Sequence, residues 1–160
     1  MPYHMRRTDR EITDPLDVDS ILRSGRYCSV ALTDGGEPYV VVLSYGYDDA
    51  ARRLYFHAAR EGHKLDLILC NPKACVSIVI DHGYVQGECA HEYESAIVRG
   101  AMRIIDDSEE QRHALRVLVG QQEDEPEEYW ASRGLDDEKH YRRFTALALD
   151  IDSVTAKRGS

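Results

Sequence analysis

The sequence lacks several features that would assign it to well-known classes of protein. No apolar run approaches the roughly 18 residues that a membrane-spanning helix needs, and the basic pair Arg6-Arg7 is not followed by the hydrophobic segment of a secretory signal. No basic stripe marks a nucleic-acid-binding surface. These absences predict a cytoplasmic protein with neither a membrane nor a nucleic acid as its partner.

Cysteines at metal-binding or redox spacing are also missing. The chain has four cysteines but no Cys-x-x-Cys pair, which argues against a zinc ribbon or a thioredoxin-like motif. His82 and His91 flank Cys89, but this spacing matches no zinc pattern. We therefore predict no metal site and, in a reducing compartment, free thiols at all four positions. The cysteines are Cys28, Cys70, Cys75 and Cys89.

What the sequence does contain is typical of a single globular domain. Of its 160 residues, 42% are hydrophobic and 31% are charged, which is enough to bury a core without covalent staples. The formal net charge of -9 is concentrated in residues 106–128, which hold nine acids and two bases. We interpret this acidic segment as a solvated face. The near-neutral remainder leaves room for a local basic site that binds a small anion.

The spacing of apolar residues predicts a mainly β fold with flanking helices (α+β). Helical spacing marks residues 15–24, 62–70, 108–120 and 126–134. Alternating residues predict about six antiparallel strands, at 27–33, 38–47, 54–57, 74–80, 95–106 and 144–151. Short strands with hairpin connections favour a small barrel, and closure of the barrel would remove the exposed strand edges.

Turn and capping residues divide the chain further. Asp34-Gly35-Gly36 predicts a hairpin, whereas the segment 81–94 is interpreted as a loop. Ser108 and Gln111 have the spacing of a capping box. The predicted organisation is an N-terminal arm (1–13), a single domain (14–153) and a C-terminal tail (154–160).

The most informative segment is a strand–loop–helix junction at residues 54–65. A loop that holds Arg60 and Gly62 leads into a helix whose first turn carries His63 and Lys64. The helix dipole repels cations at this end, so the basic residues are consistent with an anion bound between them. A phosphate fits this arrangement, and the alternative is a surface loop with scattered charge.

The order and spacing of these segments resemble the FMN-binding split β-barrel that pyridoxamine-phosphate oxidases share. Within that fold, the closest resemblance is to the nitroimidazole-resistance (Nim-type) flavoproteins. The resemblance covers about residues 5–152. It rests on Met5 to Ile12, on His57-Ala58 followed by Gly62-His63-Lys64, on Cys89 followed by Tyr93 to Ile97, and on Gly100 to Asp106.

The resemblance implies a homodimer with FMN at the subunit interface, and it implies which residues bind the cofactor. The matching positions are His63 and Lys64 around the phosphate, Val42, Leu43, Ser44 and Tyr45 on the strand beside the isoalloxazine, His57 and Ala58 at the strand end next to the flavin, and Tyr93 and Ser95 near the partner subunit. We therefore predict an FMN-binding split-barrel domain.

The predicted function is an FMN-dependent oxidoreductase that reduces a nitroaromatic compound, such as a 5-nitroimidazole, or a similar small acceptor. His63 or His57 can supply the protons, and His63 is the predicted catalytic residue. The substrate-binding Arg-x-His pattern of the oxidase branch is not seen in residues 153–160, so oxidation of pyridoxamine phosphate is not expected. Two alternatives are a non-catalytic flavin-binding module and a split barrel that binds haem or a deazaflavin.

Overall fold

An antiparallel sheet of eight strands organises the computed structural model, which describes residues 5–159. The strands are β1 (Glu11–Ile12), β2 (Tyr27–Thr33), β3 (Pro38–Ser44), β4 (Gly46–Asp48), β5 (Arg53–Ala58), β6 (Lys73–Val85), β7 (Ala90–Ile104) and β8 (Thr145–Gly159). The helices are α1 (Pro15–Ser24), α2 (His63–Cys70), α3 (Ser108–Gln122), α4 (Pro126–Ser132) and α5 (Glu138–Tyr141). The strand order is β3-β2-β6-β7-β8-β5-β4, and β1 pairs with β8. Residues 1–4 of the predicted arm and residue 160 of the predicted tail lie outside the described residues.

This sheet confirms the predicted split barrel. It curls around one apolar core, and the strands at its two ends, β3 and β4, are consecutive in the chain. Within residues 5–159, the ladders do not join β3 to β4, so the barrel stays open at this point. The prediction that closure removes the strand edges is therefore wrong, because one edge of β3 remains free.

Alternate residues of the strands fill the interior of the barrel. Val30, Val76, Val98, Leu54 and Leu147 have no measurable exposure. Helices α1 and α2 add their buried leucines and isoleucines to the same core. Burial of each such side chain contributes about 1.5–3 kcal/mol to folding, so this interior is the main source of stability.

The strand predicted at 38–47 bends at Tyr45 and forms two strands instead of one. The Tyr45 hydroxyl donates a hydrogen bond to the Leu22 carbonyl at 2.7 Å, which holds its ring in the core. A Cβ atom on Gly46 would lie only 2.6 Å from the Cα atom of Leu118 in α3. The bend lets the chain pass closely beneath α3, and the predicted antiparallel pairing with β2 and β5 is kept on either side of it.

The prediction of a loop at residues 81–94 is wrong. Most of this segment extends β6 and β7 into a long hairpin. Its strands are linked by His82 Nε2 and Glu94 Oε2 at 3.2 Å and by His91 Nε2 and Asp81 Oδ1 at 2.7 Å. Most of its side chains are exposed. No apolar alternation therefore marked these residues as strand.

The predicted C-terminal tail, residues 154–160, is largely part of strand β8. The strand continues to Gly159 and pairs with β7 along nearly all of its length. Residues 154–159 are therefore part of the sheet, and the predicted boundary after Ser153 falls inside a strand. At the other end of the chain, Ile12 of the predicted arm pairs with Ala156.

Helix α3 begins with a different cap from the one predicted. The side chain of Asp107, not of Ser108, accepts the hydrogen bond from the Glu110 amide at 2.8 Å. Gln111 is buried and donates to the Phe144 carbonyl at 3.0 Å, so it anchors the chain that enters β8. The helix also continues through Gly120, where the sequence predicted its end.

All four cysteines are free thiols, as predicted. Cys28 is buried in the core, and burial raises the pKa of its thiol to about 12. Burial thus disfavours the thiolate, which is the reactive form of cysteine.

Candidate functional site

The N-terminus of α2 is open to a ligand. Gly62 precedes the helix with a φ angle of +142°, and a Cβ atom there would meet nothing within 4 Å. Its carbonyl accepts the first helical hydrogen bond from the Leu65 amide at 2.9 Å, while no side chain among residues 5–159 caps the helix. The amide groups of His63 and Lys64 are thus available to an anion.

The cations at this junction differ in their availability. The Arg60 guanidinium donates a hydrogen bond to the Arg142 carbonyl, so the protein itself holds it. Lys64 is partly buried, and in the described part of the chain no carboxylate lies within ion-pair distance of it or of His63. Arg60 also lacks an ion-pair partner among residues 5–159, but Lys64 and His63 stand in the first turn of the helix, so they are the first candidates to bind an anion.

Strand β3 runs directly beside this helix start. The ring of Tyr39, on β3, contacts the ring of His63 edge-on with centroids 5.1 Å apart. Because β3 is the terminal strand of the sheet, its outer edge presents unpaired backbone groups. The structure thus brings His63 and Lys64 together with the strand that carries the predicted positions 42–44.

Of the predicted positions, Val42, Leu43 and Ser44 alternate between the two faces of β3, and Tyr45 lies in the bend that follows it. Val42 and Ser44 are exposed on the outer face. Leu43 packs against the core, and Tyr45 is fully buried, with its carbonyl accepting a hydrogen bond from Gln122 Nε2 at 2.7 Å. Only the first two can offer side chains to a ligand on the outer face.

His57 and Ala58 also point to opposite sides of their strand. Ala58 is buried in the barrel interior. His57 is exposed and contacts the ring of Phe144 with centroids 5.9 Å apart. Its side chain lines a cavity formed with α3, so the structure does not place it with Lys64.

Tyr93 and Ser95 line a separate groove of about 450 Å³ on the outer face of β6, β7 and β8. Lys157 lies 5.5 Å from the Tyr93 ring. Thr155 also lines the groove, and its hydroxyl is buried without a hydrogen-bond partner among the described residues. Three strand spacings, about 14 Å, separate β3 from β7 in the sheet. One chain therefore does not bring these residues onto β3.

Between the junction and the groove lies an outer face of the sheet that no element of this chain covers within residues 5–159. We call this surface the bare face; it consists of the outward residues of β2, β3 and β6. Its apolar members and their exposed fractions are Tyr27 (64%), Val40 (62%), Val42 (59%) and Val79 (52%). Exposed apolar side chains clustered in this way mark an interaction surface.

Sequence reasoning missed Tyr39, Thr155 and Lys157 as neighbours of the candidate site. Tyr39 contacts His63 across a gap of more than twenty residues in the chain, and the other two fall in the segment predicted as a tail. No local pattern signals such contacts, because they depend on which strands become neighbours in the sheet.

The described residues provide neither a metal site nor a membrane-spanning helix. No group of three or more histidine, cysteine or acidic side chains within the described ranges is placed to hold a metal ion. None of the helices built by residues 5–159 is long and apolar enough to cross a bilayer.

The sequence match establishes the family. A model of the pyridoxamine 5'-phosphate oxidase family matches residues 14–158. The chain belongs to this family. This confirms the predicted relationship, although no protein of curated function matches the sequence.

Solved structures resemble the chain over nearly its whole length. A candidate 5-nitroimidazole antibiotic resistance protein from Bacteroides thetaiotaomicron has 26% identity and a TM-score of 0.75, over 99% of this chain and 96% of that one. An FAD-binding protein from Mesorhizobium loti has 24% identity and a TM-score of 0.66, over 94% and 97%. An FAD- and haem-binding protein from Mycobacterium smegmatis has 20% identity and a TM-score of 0.72, over 94% and 74%. The last two likenesses establish the fold alone.

Proposed function

We propose that this protein is a flavin-dependent oxidoreductase that binds FMN between two copies of the chain and reduces a nitroaromatic or similar small acceptor. The observation that carries the proposal is the uncapped start of α2, with an unpaired Lys64 beside the free edge of β3. Family membership and the likeness to the Bacteroides protein support the same conclusion.

The phosphate of the cofactor would bind at the junction. Two backbone amides and the helix dipole meet there, and the ammonium of the adjacent Lys64 would join them; together they would suit a dianion with several acceptor oxygens. Gly62 has a backbone conformation that residues with a side chain rarely adopt. Because Gly62 has no side chain, the approach to the helix start stays open. These residues fit the phosphate end of a flavin nucleotide.

The ring system would lie against the outer side of β3. The free strand edge offers backbone N–H groups to the polar edge of a planar ring, and Val42 offers an apolar contact. When bound, a flavin supplies hydride and single-electron transfer. The role of the chain is to orient the ring and to stabilise negative charge with N–H groups.

A second copy would complete the site. The groove with Tyr93, Ser95 and the unpartnered Thr155 hydroxyl lies across the sheet from the junction, so only another molecule can bring such a groove against β3. The bare face between them gives that molecule an apolar surface to bind. A homodimer with the cofactor at its interface accounts for both features.

His63 would deliver protons to the acceptor. Its ring is exposed and is held by the edge contact with Tyr39, close to the proposed phosphate end. Histidine can donate and accept protons near neutral pH. His63→Ala should therefore keep the fold but lower the rate of nitro reduction, measured at saturating FMN, roughly 100-fold.

The test begins with the absorption spectrum of the purified protein. We expect a yellow protein that releases FMN on denaturation; released FAD would correct the cofactor, and a colourless protein that takes up neither would overturn the proposal. After anaerobic reduction, a nitroimidazole should restore the oxidised spectrum. Failure at this step alone would identify a non-catalytic flavin-binding module.

A further inference from the structure

A second cavity, of about 300 Å³, lies on the other side of the barrel from the bare face. It is formed by α3, by the chain between α4 and β8, and by His57 at the end of β5. Its volume falls at the lower end of the range for small-molecule sites. Gly62, His63 and Lys64, at the start of α2, are not among the residues that line it.

The charge of this cavity is opposite to that of the protein. Four basic side chains line it and no acidic one does, although the chain carries a net charge of -9. The basic residues are His57, Arg133, His140 and Arg143. The lining therefore favours an anion over a cation.

The two arginines are free to bind that anion. Within residues 5–159, neither Arg133 nor Arg143 forms an ion pair, whereas the nearby Arg116 and Arg142 are each paired with a glutamate. The Arg133 guanidinium lies 5.4 Å from the centre of the Tyr129 ring, which holds it at the cavity without neutralising it.

The remainder of the cavity is apolar and aromatic. Leu115, Leu118 and Val119 of α3 line one side. Phe144 lines it with His57, and their rings are 65° apart in orientation. Such walls favour a flat hydrocarbon body over a hydrated inorganic ion.

His140 adds a fixed polar group. Its Nδ1 lies 2.9 Å from the Gly134 carbonyl oxygen, and only a protonated Nδ1 can donate to a carbonyl. The ring is thus anchored by one nitrogen, which leaves Nε2 for a ligand.

We propose that this cavity binds a small aromatic carboxylate, with the carboxylate on Arg133 and Arg143 and the ring among Leu118, Val119 and Phe144. A guanidinium can hold a carboxylate through two parallel hydrogen bonds, and the cavity holds no acid that would compete for it. The inference goes beyond the proposed function, because such binding requires no flavin.

The test is calorimetric titration of the full-length protein, as purified, with benzoate and with benzamide. The two probes share a ring and differ in charge. We expect benzoate to bind saturably at one site per chain and benzamide to bind at least tenfold more weakly. No benzoate binding, or equal binding of the two probes, would overturn the proposal.

Variants then locate the site. Arg143→Gln and Arg133→Gln should each weaken benzoate binding roughly tenfold, the effect of one charge-assisted contact. Arg52→Gln is the matched control: Arg52 is exposed in the turn before β5, at the opposite end of that strand from His57, and its loss should leave binding unchanged. Equal effects of all three would show a general charge effect and contradict the assignment. Flavin content, measured on the same samples, should not change, so this result is separate from the test of the proposed function.

Discussion

The outer face of the sheet has two regions, one covered by a helix and one exposed. Over β5 and the adjoining halves of β7 and β8, α3 covers the sheet: Tyr55, Ala146 and Ala148 are buried beneath Ala114 of the helix. Over β2, β3 and β6, the same kind of outward position carries exposed valines. The sheet geometry is shared, so the difference lies in what covers each region.

The covered region is held by contacts that the bare face lacks. Arg103 of β7 donates to Glu110 of α3 at 2.6 and 3.0 Å, and Arg53 and Asp150 join the same cluster. On the bare face Val40, Val42 and Val79 remain more than half exposed. The first region is thus covered by a helix of the same chain, whereas the bare face is suited to contact with a partner molecule.

The largest expected effect comes from disrupting the covered region. Gly46→Val would place a side chain against backbone atoms of Leu118 and Val117, less than 3 Å away, and a helix backbone cannot move aside locally. We expect the free energy of unfolding to fall by about 3 kcal/mol, measured by urea denaturation.

Gly120→Ala provides the control within α3. A Cβ atom on Gly120 meets nothing within 4 Å, and alanine is the better helix former by up to about 1 kcal/mol. This variant should be as stable as the parent protein or more so. If both glycine variants kept the parent's stability, the close packing of α3 on β4 would be contradicted.

A charge on the bare face should weaken the proposed homodimer without unfolding the chain. Val42→Glu would bury a carboxylate in the proposed interface, and we expect the dimer dissociation constant to rise roughly 30-fold or more, about 2 kcal/mol. Sedimentation equilibrium measures this change. Leu16→Glu, at a 77% exposed position on α1, should remain dimeric, and identical behaviour of the two variants would count against the bare face as the interface.

The smallest expected effect is a pH dependence of the covered region. The hydrogen bond from Arg103 lowers the pKa of Glu110, with burial opposing it. A carboxylate whose pKa is lowered on folding stabilises the protein above its unfolded pKa and loses this contribution as the pH falls. Arg103→Gln should therefore reduce stability by about 1 kcal/mol near pH 7 and by progressively less towards pH 3.

The check is urea denaturation of parent and variant across this range. Arg112→Gln removes a more exposed ion pair, with Asp136, and should change stability by only a few tenths of a kcal/mol. A difference between parent and Arg103→Gln that did not shrink on acidification would show that Arg103 acts through packing instead of charge.

Local patterns were sufficient to predict much of this fold. Asp14, Pro15 and Gly25 set the bounds of α1 as the sequence predicts, and Asn71 ends α2. Alternation located β2 because its inward residues are buried and its outward ones are less so. Where one face of a strand is buried and the other is exposed, the alternation of apolar and polar residues in the sequence predicts the strand.

The remainder depends on contacts between distant segments. The bend at Tyr45 lies where α3 passes closely over Gly46, and nothing near residue 45 indicates this contact. In the candidate site, the phosphate junction is local and was predicted, whereas the contact between Tyr39 and His63 depends on which strand ends beside α2. Leu43 and Tyr45 face the core because side chains alternate between the two faces of a strand. The family resemblance named these residues but did not show which face each one occupies.

The central claim is that the start of α2 binds the phosphate of a flavin, and pairing a variant with a truncated ligand tests it most directly. Fluorescence titration measures the binding of FMN, and of riboflavin, which lacks the phosphate. The proteins compared are the parent apoprotein, the Lys64→Gln variant and the control variant Lys73→Gln, which changes an exposed lysine. We predict that Lys64→Gln weakens FMN binding roughly tenfold and leaves riboflavin binding unchanged, with no effect of Lys73→Gln. Equal losses for the two ligands, or no loss for FMN, would contradict the account.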